Sequence, residues 1–284
     1  MRIGVEVVVD EELLAAIPQI AETVEQAGLD VLWWHPVGSE WTSSLVVAAA
    51  SAATTTSITV AQDVALQGFH PLYLAEERHV TDQLLGGRLV TVLCGDSDEQ
   101  SEVAAVLLAA AADRPFRHVG RRWTIPAGLE ANSINRESRI RVTPRPAGPS
   151  AAIWVGSPEA AVTTALPAVD ARSLWSELDV EGTAVQRSAV RPAKRCWDPQ
   201  DEPLDELIPR LRAEQQHSGM DLAAIRIAAS PASAAWRSAV AALAAVVRPS
   251  LQLERLPTGL EGLWRETLGA RAALQQMNDL EEKS

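Results

Sequence analysis

The residues able to do chemistry fall in a few short stretches. His35 stands just past the apolar run Val31-Leu32-Trp33-Trp34. A side chain that titrates near neutrality could donate or accept a proton there; equally, it could be a loop histidine bonded to backbone. Trp34 and Trp41 flank it. Nine tryptophans against two phenylalanines and one tyrosine make a skewed aromatic set. Trp33, Trp34, Trp41 and Trp154 fall on or just after apolar runs, where they could wall a flat pocket for a ring or fill a core. Gln62 and Asp63 interrupt the β-branched run from Ser57 to Gln67. Buried polar side chains need partners, so Asp63 awaits either a ligand or an arginine. Cys94 opens the turn Cys94-Gly95-Asp96-Ser97-Asp98-Glu99. No neighbour in sequence argues for an activated thiolate, and a small buried residue is the simpler reading of Cys94.

These residues need a frame, and the pattern around them supplies one. Arg2 to Val9 is a continuous apolar run suited to a parallel strand buried on both faces. A helical stripe of Ile17, Ile20, Ala21, Val24 and Ala27 follows, with Pro18 near its start and Gly28 at its end. Further strands are predicted at 31–34, 57–67 and 89–93, and helices at 43–54, 71–85 and 99–112. His70-Pro71 reads as a helix start and Gly86-Gly87 as a stop. Residues 115–149 break the rhythm with turn residues and arginines and read as a hairpin and loop excursion. A fifth strand is expected at 153–156 and a sixth at 171–178. The stretch 181–202 reads as polar and irregular. A helix at 203–216, a strand at 222–229, a helix at 234–247, a short strand at 251–256 and a last helix at 259–276 complete the count. Alternation of this kind gives a parallel sheet with crossover helices. The expectation is one α/β domain over 1–284, a single (β/α)₈ TIM-type barrel, with a doubly wound open sheet as the alternative.

Composition narrows the partners. Lys+Arg number 25 against 37 Asp+Glu, a formal net charge of −12. That balance argues against a nucleic-acid binder, which needs a basic face for phosphates, and against docking on anionic lipid. No apolar run reaches the roughly 18 residues of a membrane span, and the N-terminal stretch reads as a first strand. Two cysteines are too few for a disulfide scaffold or a thiolate metal site. No metal motif, Walker loop or nucleophile elbow is present. The expectation is a cytoplasmic protein acting on a small molecule.

Several stretches, in order and spacing, resemble the luciferase-like flavin monooxygenase family, which includes deazaflavin-dependent oxidoreductases. They are Ala27-Gly28-Leu29-Asp30-Val31-Leu32-Trp33, residues 48–59, His70-Pro71-Leu72-Tyr73-Leu74-Ala75-Glu76-Glu77 and Asp82-Gln83-Leu84-Leu85-Gly86-Gly87-Arg88-Leu89. Pro115-Phe116-Arg117-His118-Val119-Gly120, Val142-Thr143-Pro144-Arg145-Pro146 and Ile153-Trp154 resemble the family's insertion before its fifth strand. The likeness covers roughly residues 1–165.

The resemblance implies a barrel with FMN, or a deazaflavin coenzyme, at the C-terminal ends of its strands. It places His35 beside the ring or substrate as the catalytic group. Gln62 and Asp63 would lie in the strand that bulges against the ring, and Cys94 and Gly95 at the turn near the cofactor. Trp34, Trp41 and Trp154 would wall the substrate side. It also implies a homodimer, for which the Ala-rich helices at 43–54 and 234–247 would allow close packing. The turn after the fourth strand departs from the pattern. The family has a small glycine-containing turn there, whose free N–H groups help hold a phosphate. Here Asp96, Asp98 and Glu99 crowd that helix N-terminus and satisfy its N–H groups themselves. Two negative charges about 4–6 Å apart repel by several kcal/mol. A phosphate is disfavoured unless Arg117, Arg121, Arg122, Arg187 or Arg191 supplies a cation. The second hypothesis is therefore a diverged barrel without flavin, acting as a partner subunit or small-molecule binder.

Overall fold

Strand and helix alternate as the apolar pattern requires. The fold comes from a computed structural model, which describes residues 1–37, 45–66, 69–112, 114–126, 139–147, 151–156, 172–176, 192–218 and 222–252. β1 (Arg2–Val9) leads through a 3₁₀ turn to α1 (Ile17–Gln26), then β2 (Val31–Pro36), α2 (Leu45–Ser51), β3 (Thr59–Ala65), α3 (Pro71–Leu84), β4 (Leu89–Cys94) and α4 (Ser97–Ala111). Local chemistry sets these boundaries. Pro18 sits in the first turn of α1, and Gly28 beyond its end has φ +78°, a conformation L side chains rarely adopt. The His70 ring accepts the Leu72 N–H at 3.3 Å and so caps α3 ahead of Pro71.

After α4 a short hairpin forms, β5 (His118–Val119) against β6 (Thr124–Ile125). Phe116 and Ile140 bridge its base. The return segment is tied to α3: the His79 ring lies 2.9 Å from the Pro144 carbonyl, and Asp82 accepts the Ala147 N–H at 2.9 Å. Then follow β7 (Ala151–Gly156), β8 (Arg172–Ser176), β9 (Pro192–Trp197), α5 (Leu204–Ser218), β10 (Leu222–Ile227), α6 (Ala234–Ala242) and, after a π turn, α7 (Arg248–Gln252).

Two expectations change. The stretch read as irregular holds β9, hidden because Lys194 and Arg195 look like surface residues until their distant carboxylates are known. Residues 251–252, read as the start of a short strand, are the end of α7. The last predicted helix lies outside the described residues.

The strands form one sheet in the order β8-β7-β4-β3-β2-β1-β10-β9. Seven strands run parallel in the cyclic order of a barrel, from β9 through β10 and β1 to β7; β8 is antiparallel to β7 at one edge. The architecture is thus an α/β half-barrel of seven parallel strands, and closure to eight parallel strands is not seen among the described residues.

Side-chain contacts prove that the sheet curls. β9 and β3 are separated by four strand spacings, about 19 Å on a flat sheet. Yet Lys194 Nζ on β9 lies 2.5 Å from Asp63 Oδ2 on β3. Curling divides the core in two. Ile3, Val5, Val7, Leu32, Trp34, Val60, Val64 and Leu93 face outward, under the helices. Val31, Trp33, Ala61, Val90, Val92, Trp154, Leu222 and Ala224 face inward and form a separate cluster on the concave side. The period-2 alternation of each strand produces both layers. Among the described residues no helix is long and apolar enough to cross a membrane.

Candidate functional site

The concave face gathers a charged cluster over the inner apolar residues. Because Ile3, Val5 and Val7 point outward, Glu6 between them points in; the same parity turns His35, Asp63, Cys94, Lys194 and Arg226 inward. Asp63 is the hub, with its side chain 5% exposed. Its Oδ1 accepts the indole N–H of Trp33 at 2.7 Å. Its Oδ2 lies 2.5 Å from both Lys194 Nζ and His35 Nδ1. Lys194 Nζ also pairs with Glu6 Oε1 at 2.9 Å and sits 4.6 Å above the Trp33 ring centre. Arg226 completes the set, donating from Nε to Glu6 Oε2 at 3.0 Å with Nη2 3.0 Å from Oε1.

Small residues make room for this reach. Lys194 stands in register with Ala224, and Ala224 with Gly4. A Cβ on Gly4 would come within 2.5 Å of the Val31 carbonyl oxygen. The lysine stem therefore passes β10 and β1 at Ala224 and Gly4, which carry almost no side chain.

The electrostatics follow from burial against pairing. Burial raises the Asp63 carboxyl, but the Lys194 charge and the bonds to His35 outweigh it and hold the group below its ordinary range. For Lys194 burial pulls downward, and the Asp63 and Glu6 charges more than restore it, so the ammonium is held above its ordinary value. Two carboxylates thus face two cations. Burial, aided by the Asp63 charge, pushes the Cys94 thiol far up, leaving it protonated and unreactive. Glu6, His35 and Asp63 bring three metal-ligating atoms within 4.8 Å of one another. Lys194 already occupies the position against both carboxylates that a metal ion would need.

Of the residues picked out in the sequence, His35, Asp63, Cys94 and Trp154 share this concave side. The His35 side chain is 24% exposed, and Nε2 has no partner among the described residues. Trp154 packs against Trp33, ring centres 5.2 Å apart, and its indole N–H is buried with no partner among the described residues. Gly95 follows directly in the turn after β4.

Two expectations are corrected by strand parity. Trp34 faces the helix layer and donates to Ser51 Oγ at 2.8 Å, so it lines no pocket on the concave side. Gln62 also faces outward, and its side-chain oxygen accepts the Ala48 N–H of α2 at 2.7 Å. Trp41 lies outside the described residues. Glu6, Lys194 and Arg226 were not anticipated. Glu6 and Arg226 carried a readable signal, a charged side chain inside an apolar strand, whereas Lys194 lay in a stretch with no strand pattern.

The turn after β4 is closed by its own residues. Asp96 caps α4 by accepting the Glu99 N–H at 2.9 Å. Arg122 from the hairpin reaches Asp96 at 2.6 Å and Glu99 at 3.1 Å, and Arg121 reaches Asp98 at 3.1 Å. The excursion does supply a cation, and the carboxylates already hold it. Arg187 and Arg191 lie outside the described residues.

No family model matches the sequence, and no curated protein does. Solved structures similar to the chain include the coenzyme F420-dependent tetrahydromethanopterin reductase from Methanopyrus kandleri, at 17% identity and a TM-score of 0.46 over 55% of this chain and 50% of that one. Another is the oxygenating constituent of 3,6-diketocamphane monooxygenase from Pseudomonas putida, in complex with FMN, at 18% identity and a TM-score of 0.42 over 55% and 51%. A monooxygenase from Streptomyces bottropensis matches at 15% identity and a TM-score of 0.43 over 80% of this chain and 70% of its own. The matched part spans about half the length of the first two proteins. These are partial likenesses of fold at low identity.

Proposed function

We propose that this chain is an oxidoreductase that takes a flavin-type coenzyme, FMN or a deazaflavin, at the concave mouth of the half-barrel and acts there on a small organic substrate. The observation that carries this reading is the His35–Asp63 pair near the C-terminal ends of β2 and β3, reached by Lys194 from the first half of β9 and set over the Trp33–Trp154 pair. A planar ring with carbonyl acceptors fits this donor set: the Trp154 indole N–H is unclaimed among the described residues, and Cys94 and Gly95 present little bulk at the rim. When bound, a flavin-type group supplies the hydride or electron transfer. The chain itself supplies orientation and a proton: His35 exchanges it at Nε2, and Asp63 holds the opposite edge of the ring.

A specific observation favours a second reading. The α4 N-terminus, where a phosphate would be expected, is capped by Asp96 and neutralised by Arg122. It does not fit a coenzyme phosphate, which must then be held elsewhere or be missing. Under this reading the chain is a diverged half-barrel without flavin, a partner subunit or small-molecule binder. Titrating the purified protein with FMN and with the deazaflavin coenzyme, by tryptophan fluorescence with calorimetry as check, separates the two. Micromolar binding at one site per chain supports the oxidoreductase. No binding at about 100 μM, an affinity weaker than roughly 5–6 kcal/mol, supports the second reading, as would FMN binding that arises only when Asp96 and Asp98 are both changed to Gly.

We also propose a homodimer. Val46 on α2 and Tyr73, Val80 and Leu84 on α3 are exposed apolar side chains on neighbouring helices. Tyr73→Glu with Leu84→Glu should yield a monomer by sedimentation velocity; a parent protein that sediments as a monomer would contradict the proposal.

A further inference from the structure

Arg78, in the middle of α3, has no part in the site on the concave face. It falls on the helix stripe of Leu74, Ala75 and Leu85, which packs into the outer core. It is 0% exposed, and its Nε and Nη1 have no hydrogen-bond partner among the described residues. Burial pulls the guanidinium down to about 10, with the Asp82 charge one turn on opposing the fall, so it stays protonated at neutral pH. Asp82 is committed elsewhere: its oxygens accept the Leu89 N–H at 3.4 Å and the Ala147 N–H at 2.9 Å. A buried cation with unmade hydrogen bonds is among the costliest arrangements a fold can hold. Two further buried groups of the outer layer have no partner among the described residues. They are Gln62 Nε2 on β3 and Thr91 Oγ1 on β4, which stand in register, and α3 packs on β4. Gln62 Oε1 is already taken by the Ala48 N–H. The layer therefore holds more donors than acceptors. A water molecule placed there would bring two protons of its own to satisfy, whereas an anion only accepts.

We propose that α3 covers an internal anion site, in which Arg78 binds a monovalent ion of halide size, such as chloride, against the outer face of β4. Arg78 supplies the positive charge and its unmade N–H groups; Thr91 and Gln62 are the groups of the sheet able to complete the shell. At 0% exposure Arg78 is out of reach of a carboxylate on another chain, so the occupant is small enough to be enclosed as the helix packs. The ion balances the guanidinium and pins α3 to the sheet. The site lies on the opposite face of the sheet from the Asp63 cluster and is independent of the coenzyme reading.

The test is thermal unfolding of the parent and of Arg78→Met in sodium chloride and in sodium gluconate at equal ionic strength, gluconate being too large to be enclosed. Moving from gluconate to about 200 mM chloride should raise the melting temperature of the parent by at least about 2 °C and leave that of Arg78→Met where it was. General salt effects act on both proteins alike, so the difference between them reads the site. Equal melting temperatures of the parent in the two salts, or the same gain in Arg78→Met, would overturn the proposal. The parent alone decides the matter should Arg78→Met not fold. Crystals grown in bromide should give an anomalous peak within hydrogen-bond reach of the Arg78 guanidinium. An ordered water in that place, bridging Arg78 to Thr91 or to the buried Nε2 of His79, would overturn it.

Discussion

Asp63 concentrates most of the site's energetics in one carboxylate. Three side chains meet it, Trp33, His35 and Lys194. Asp63→Asn keeps the shape and removes the charge, leaving Lys194 with Glu6 alone. Breaking a buried pair in this way should destabilise the fold by about 3–5 kcal/mol, measured by denaturant unfolding. The pH dependence has a definite sign on each side. Asp63 is held below its ordinary value, so its contribution is present above about pH 3.9 and is lost as pH falls through the lower folded value. Lys194 is held above its ordinary value, so its contribution is complete below about pH 10.4 and is lost as pH rises through the higher folded value. This pair therefore adds no pH dependence of its own between these limits, and Asp63→Asn should flatten the acid limb of the melting-temperature profile. At this scale the sequence was half legible. Asp63 and His35 declared themselves by type and place, but their cation could not be named, because it comes from a strand 131 residues away in the chain.

At the level of elements, the site depends on strands whose inner faces alternate large and small. Gly4 shows the constraint most sharply, since an added methyl would meet the β2 backbone. Gly4→Ala should cost about 1–3 kcal/mol through forced strand separation; a variant as stable as the parent in urea would contradict the packing described. The early strands and helices were readable because each carries a clean apolar period with helix stops at Gly28 and Gly86-Gly87. The facing of Trp34 and Gln62 was not, because a strand buried on both sides gives no polar phase to fix its parity. β9 was lost for the opposite reason: its inward lysine and outward Arg195, paired with Glu214, mimic a solvated loop.

Across the molecule, the curl of the sheet turns scattered residues into a site. On a flat sheet Glu6, Asp63 and Lys194 would be strangers; on the curled one they share a single ammonium. Alternating βα units made a parallel sheet legible, yet whether the sheet closes depends on the edges, where β8 turns antiparallel. The Trp33–Trp154 pair, the buried charged cluster and His35 share the concave face of the sheet. The central claim is that a flavin-type coenzyme binds there. Its most direct test is the indole ¹⁵N–H spectrum of the nine tryptophans, recorded as FMN and then deazaflavin is added. We expect the Trp154 and Trp33 signals to move saturably with one of the two coenzymes, while Trp236, buried on α6 in the outer core, stays fixed. An unchanged spectrum at about 100 μM of either coenzyme, or shifts that leave Trp33 and Trp154 in place, would contradict it.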